Sequence, residues 1–151
     1  MTAVASAIEN LSINITQDTH VRASLAATFA ALLEEMGPSN QGQPGVPMPM
    51  TLEPWPGGRW FRDLGDGNGH HWGHVQAIKR PTLLEISGPL MMSFAAVSNV
   101  QYRLKEVDGG TLISFRHSAL GFIPDDLRQG LMQGWTAMHR RIQTQAEGER
   151  R

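Results

Sequence analysis

Two side chains stand out as polar groups placed where a core is expected: His117 and Tyr102. In the segment Thr111 to Ser118, Ile113 and Phe115 alternate with Ser114 and Arg116. Period-2 alternation puts Thr111, Ile113, Phe115 and His117 on one face of a strand. The apolar members mark that face as the inner one. The preceding segment repeats the pattern, with Val100, Tyr102 and Leu104 facing inward and Gln101, Arg103 and Lys105 facing water. A buried polar group without a partner costs about 1–3 kcal/mol. Each of the two must therefore bond a backbone carbonyl or buried water, or else serve as a convergent polar group of a binding pocket. In the second case His117 orients the polar end of a ligand.

Other constellations are weaker. His70, His71 and His74 invite a metal reading, but on a strand His70 and His74 share a face about 13 Å apart, too far to chelate one ion unaided. No H-E-x-x-H motif occurs, so no metal and no cofactor are expected. Gly65 to Gly69 is not followed by Lys-Ser or Lys-Thr and leads into a strand, which excludes a phosphate loop. No G-x-S-x-G elbow is present. Asp125 and His117 lie on unlinked elements and form no catalytic constellation. The absence of cysteine removes disulfides, thiolate metal sites and cysteine nucleophiles together.

The elements that must position these residues follow from periodicity. A strand is expected over Leu11 to Val21, where Leu11, Ile13 and Ile15 alternate with polar residues. Ser24 then caps a helix carrying Leu25, Phe29, Leu32, Leu33 and Met36, and Gly37-Pro38 ends it. Residues 38–49 form a Pro/Gly-rich loop, read either as a connector or as a lid. Short strands follow at Met50 to Pro54, Arg59 to Asp63, His70 to Lys79 and Leu83 to Ser87, separated by turn chemistry. Ser98 to Val107 and Thr111 to Ser118 form a hairpin across Asp108-Gly109-Gly110. Pro124 opens a last helix, with Asp125 and Asp126 in its first turn. There Leu127, Leu131, Trp135, Met138 and Ile142 make one apolar stripe. The order is β-α-β6-α, an α+β class with an antiparallel sheet covered by helices on one face.

Composition bounds the rest. The chain has 151 residues, 40% of them hydrophobic and 18% charged, which suits one globular domain over 1–151 with a loose leader at 1–10. A net charge of -1 excludes a broad positive field, so no nucleic-acid partner is expected. Only the tail, from Arg140 and Arg141 to Arg150 and Arg151, is locally basic, and Glu147 and Glu149 dilute it. No run reaches the roughly 20 apolar residues of a membrane span. The first ten residues do not read as a signal peptide, and the cytoplasm is the expected compartment. An edge strand must be covered or paired, which makes a homodimer an expectation to test.

Several short motifs run nearly the length of the chain in a familiar order. They are Val21-Arg22-Ala23-Ser24 running into Phe29, Pro56-Gly57-Gly58-Arg59-Trp60, Trp72-Gly73-His74-Val75, Gly110-Thr111-Leu112-Ile113, His117, and Gly134-Trp135. In these the chain resembles the START-like, or SRPBCC, superfamily, and within it the bacterial relatives of the activator of Hsp90 ATPase homology domain. The resemblance implies a helix-grip fold, in which a curved antiparallel sheet of about seven strands wraps a long C-terminal helix around a ligand cavity. Relatives often carry a short second helix where this chain has its Pro-rich loop. The resemblance also implies a wide range of functions.

The expected function is the binding of an apolar small molecule or lipid between sheet and C-terminal helix. Its wall is drawn from Phe29, Trp60, Val100, Tyr102, Phe115, His117, Leu131 and Trp135. Trp55 and Trp60 flank a turn that could form the mouth. Met36, Met48 and Met50, with Met91 and Met92, supply either core filling or an adaptable wall. Two alternatives stand beside this reading. One is an enzyme acting on an aromatic or polyketide-like substrate in the same cavity, with His117 as its titratable group. The other is a co-chaperone-like interaction module, which requires an exposed apolar patch of several hundred Å².

Overall fold

The computed structural model describes residues 9–148. The expected leader lies outside these residues except for Glu9 and Asn10, which are helical. Nine elements follow: β1 (Ser12–Val21), α1 (Leu25–Met36), β2 (Thr51–Leu52), β3 (Arg59–Gly65), β4 (Asn68–Lys79), β5 (Leu83–Gly88), β6 (Ala96–Val107), β7 (Gly110–Gly121) and α2 (Asp125–Gly148). This is the order expected from periodicity. The strands form one antiparallel sheet in the order β1-β7-β6-β5-β4-β3-β2. It curves around α2 in a helix-grip fold.

Local chemistry sets each junction. Ser24 accepts a hydrogen bond from the Ala27 N–H at 3.1 Å and starts α1, and Gly37 ends it. The β3–β4 turn is Asp66-Gly67, both residues with positive φ, so Gly67 bears a conformation that a side chain disfavours. The β6–β7 turn is Asp108-Gly109, after which Val107 pairs with Gly110. Gly110 also meets the end of β1. A Cβ there would sit 2.0 Å from the Val21 carbonyl oxygen.

One segment differs from the pattern-based expectation. The strand expected over Met50 to Pro54 shortens to Thr51–Leu52. Pro54 and Pro56 have no N–H to donate, and the chain turns at Gly57 with φ of 81°. Residues 38–49 close on themselves: Asn40 and Met48 exchange backbone and side-chain hydrogen bonds, and Asn40 is buried. Met36 and Met50 are buried beside this loop.

The outer edge of β1 is covered by side chains of α2. Arg128 donates to the carbonyls of Ser12 and Asn10, Gln143 donates to that of His20, and Glu147 accepts from the Arg22 N–H. These bonds satisfy edge groups that would otherwise invite pairing. The apolar stripe of α2 points the other way, with Leu131, Trp135, Met138 and Ile142 buried against the sheet.

Two glycine substitutions test this packing with opposite signs. Gly110→Ala should lower stability by at least about 2 kcal/mol, because the backbone of β1 must move. Gly134→Ala, in the open on α2 with nothing within 4 Å of the added Cβ, should raise it by about 0.5–1 kcal/mol. Urea unfolding midpoints of the two variants check both.

Candidate functional site

β6 and β7 present their inner faces as cross-strand pairs, Val100 with His117 and Tyr102 with Phe115. Above them lies Trp135 of α2. The rings pack in direct contact, with centroids 4.9 Å apart for Tyr102–Phe115, 4.8 Å for Phe115–Trp135 and 5.5 Å for His117–Trp135. All are buried.

Hydrogen bonding fixes the state of His117. The Trp135 indole, a donor only, gives its Nε1 proton to His117 Nδ1 at 3.0 Å. The neutral ring must then carry its own proton on Nε2, which donates to Ser98 Oγ at 2.9 Å. Both ring nitrogens are taken.

A second chain of bonds runs beside the first. His139 Nδ1 lies 2.8 Å from Gln17 Oε1, an acceptor, so Nδ1 carries the proton. The Tyr102 hydroxyl then donates to His139 Nε2 at 3.0 Å. Gln17 passes the chain on to Thr136 Oγ1 at 3.0 Å. His139 also packs on Phe115 at 4.6 Å and stacks with Trp135 at 6.3 Å. Polar bonds thus cross the interface between sheet and α2 at two levels.

Burial sets the titration of these groups. It pulls His117 down to about 4, and it pulls His139 to about 4 with help from the positive charge of Arg141. It pushes the Tyr102 hydroxyl upward, so the phenol stays protonated and donates. Glu35 of α1 bonds Arg141 of α2 at 3.0 Å, yet burial outweighs that partner and raises its pKa.

His139, Ser98 and Gln17 were not among the residues expected at the site. Their signals are visible in retrospect. His139 follows Trp135 by four positions and so shares its helix face. Ser98 and Gln17 sit at inward positions of β6 and β1, in phase with Val100 and Ile15. Of the expected residues, Val100, Tyr102, Phe115, His117 and Trp135 come together here. Leu131 lies one turn earlier on α2 and is buried. Phe29 is buried on α1. Trp60 belongs to another aromatic pair: its indole donates to the Met36 carbonyl at 2.7 Å, and its ring meets Trp72 at 5.0 Å. Trp55 remains 55% exposed at the turn.

The three neighbouring histidines are arranged differently from simple alternation. The β3–β4 register shifts between Trp60 and Phe61, and Trp72 and Gly73 are both buried. This bulge puts His71 and His74 together among the exposed positions, while His70 Nδ1 accepts from the Trp72 indole at 2.9 Å. Among the described residues no group of three or more potential ligands could hold a metal ion. No described helix is long and apolar enough to cross a membrane. Several clefts open on the surface. One of them, between β1 and α2, reaches Gln17 and His139 and so touches the second chain of bonds from outside.

A family model described as Activator of Hsp90 ATPase homolog 1-like protein matches residues 45–147. The chain belongs to that family. No curated protein sequence matches it. Solved structures extend the likeness of fold to between 89% and 96% of this chain. A putative uncharacterised protein from Rhizobium leguminosarum superimposes with a TM-score of 0.70 at 16% identity, covering 90% of this chain and 95% of its own. Ara h 8.0201 gives 0.68 at 14% identity, with 89% and 97% covered. The di-domain ARO/CYC StfQ from the steffimycin biosynthetic pathway gives 0.66 at 12% identity, with 96% of this chain against 54% of that one. These structures share the fold of this chain, a curved antiparallel sheet around a long C-terminal helix.

The buried imidazoles predict how stability depends on pH. In the unfolded chain they titrate near 6.5, and in the folded protein near 4. Above 6.5 both states are neutral at these positions and nothing is lost. As pH falls from 6.5 towards 4, the unfolded chain takes up protons that the folded protein refuses. Stability should fall by up to about 3 kcal/mol per imidazole. Glu35 acts in the opposite sense: it holds its proton in the folded state above 4.5, so its contribution is lost as pH rises. Urea midpoints at about pH 7 and about pH 4.5 measure the balance. Equal midpoints in a Glu35→Gln variant, where the opposing carboxyl is gone, would mean that protons reach the imidazoles in the folded state.

Proposed function

We propose that this protein binds an apolar, planar small molecule between the sheet and α2. The observation that carries this reading is the chemistry of that interface. Two imidazoles, a phenol and an indole lie inside it, where hydrocarbon side chains alone would pack the helix. Each polar group is neutral, and each makes bonds that a ligand's carbonyl or hydroxyl can replace. The net worth of one such bond is about 1 kcal/mol, so exchanging it is inexpensive. The apolar body of the ligand supplies affinity by burial, at about 25 cal/mol per Å².

The rings of Tyr102, Phe115, His117 and Trp135 pack on one another across the interface, and a ligand would enter between them as α2 shifts. Its first half is suited to that. Gly130 and Gly134 have open space around them and weaken the helix, by about 1 kcal/mol each relative to alanine. Val100, Tyr102, Phe115, His117, Leu131 and Trp135 would then line the ligand, with Phe29 and Trp60 flanking it from α1 and β3. Acid–base catalysis by His117 has less support, because both its ring nitrogens are already bonded. A second reading rests on family membership: stimulation of a chaperone ATPase. Capture of such an ATPase by the purified protein, with a rise in its turnover, would favour it.

Native mass spectrometry of freshly purified protein, against a denatured control, tests the first reading. A retained apolar molecule is expected. His117→Phe should weaken its rebinding about tenfold, which corresponds to roughly 1.4 kcal/mol. Affinity unchanged in that variant would remove His117 from the site.

A further inference from the structure

The outer faces of β6 and β7 are polar along most of their length, carrying Asn99, Gln101 and Arg103 beside Ser114, Arg116 and Ser118. At one end this pattern breaks. Val97 and Leu120 stand directly opposite one another across the two strands and are 65% and 56% exposed. Just beyond them Phe94 and Phe122 are 45% and 69% exposed. The Phe122 N–H donates to the Ala95 carbonyl at 3.0 Å, which ties the two segments together. Phe94 and Phe122 border the same cleft. Single exposed apolar residues are ordinary, but four large ones in one place are not. Together they expose roughly 400 Å² of apolar surface, the size at which patches tend to be functional.

We propose that two copies of the chain associate through this corner of the outer sheet face. The dimer is isologous, with its two-fold axis lying between the faces and perpendicular to the strands. The rim of the patch fits its own copy. Ser12, Asn14, Asn99 and Ser118 carry no charge, and Ser118 already bonds Asn14 at 3.2 Å while Asn99 bonds Ser87 at 3.3 Å. Such a rim meets itself without like-charge repulsion or unpaired polar groups.

Charges farther out are arranged for the same axis. On the outer face of β7, Arg116 lies four residues before Leu120. Past Phe122 come the exposed Asp125 and Asp126 of α2, Asp125 lying 3.7 Å from Arg128. A two-fold through Val97 and Leu120 reverses the strand direction. It therefore turns the Arg116 end of one copy towards the end at which β7 of the other runs into α2, where Asp125 and Asp126 are exposed. The same two acids oppose docking on an anionic membrane. Two such patches bury roughly 800 Å², below the roughly 1,200 Å² of a standard specific interface, which implies a weak, concentration-dependent dimer.

Sedimentation velocity of the full chain, up to about 200 µM, tests this, since a small interface requires such concentrations. A dimer should grow in with concentration. Leu120→Glu, on an exposed position that leaves folding intact by circular dichroism, should raise the dissociation constant at least about tenfold. Arg116→Asp should weaken association, and Arg116→Asp with Asp125→Arg and Asp126→Arg should restore it to within a few-fold of the parent. A monomer at every concentration overturns the proposal, as does a dimer indifferent to Leu120→Glu. Dimerisation seen only after residues 1–8 are deleted also overturns it and assigns the patch to those residues. Capture of a chaperone by a strictly monomeric protein assigns it to that partner instead.

Discussion

The interior depends on one hydrogen bond, from the Trp135 indole to His117 Nδ1. An indole N–H buried in a helix–sheet interface needs an acceptor, and the inner face of an antiparallel sheet has none to spare from its backbone. A neutral imidazole supplies it. That choice fixes the tautomer, turns the other ring nitrogen into a donor, and so requires the Ser98 hydroxyl beneath. Taking any one of the three away leaves another unpaired. Bulk hydrophobicity would bring α2 to the sheet, but these bonds determine at which turn it stops.

The second chain, through Tyr102, His139 and Gln17, does the same work nearer the surface. It ends in a cleft between β1 and α2, where water can reach Gln17. The two chains differ in what surrounds them. The first is sealed under aromatic rings, whereas the second has one member at the rim. Proton uptake from solvent therefore meets His139 first. The apolar contacts of Phe115 bridge both chains, so loosening one transmits to the other through a shared ring.

Much of this was legible from alternation and spacing. The inward facing of Tyr102, Phe115 and His117 follows from the period of two, and the stripe of α2 from helical spacing. The Ser24 cap and the Asp108-Gly109 turn are local chemistry and came through as such. What escaped depended on contacts between distant segments. His139 is hidden in the sequence by Met138 beside it, which fits the apolar stripe better. Nothing in the sequence announces that Gln17 and Tyr102 approach it from β1 and β6. The facing of His70, His71 and His74 departs from simple alternation because a bulge at Trp72-Gly73 resets it, and that bulge answers to the partner strand. The closure of the loop at 38–49 by Asn40 and Met48 is likewise a tertiary matter.

β6 and β7 serve two faces at once, and their register couples them. Each inward residue has an outward neighbour: Ser98 beside Val97, His117 beside Arg116, Ala119 beside Leu120. A slip of one residue would turn Arg116 into the core and His117 to water, and would bury neither chain of bonds. The two-residue turn at Asp108-Gly109 excludes that slip at one end. The close approach of Gly110 to Val21 excludes it again, because β1 then locks β7 from the other side. The inner chemistry and the outer apolar corner are therefore one register read from two directions, and neither face can be rebuilt without carrying the other with it.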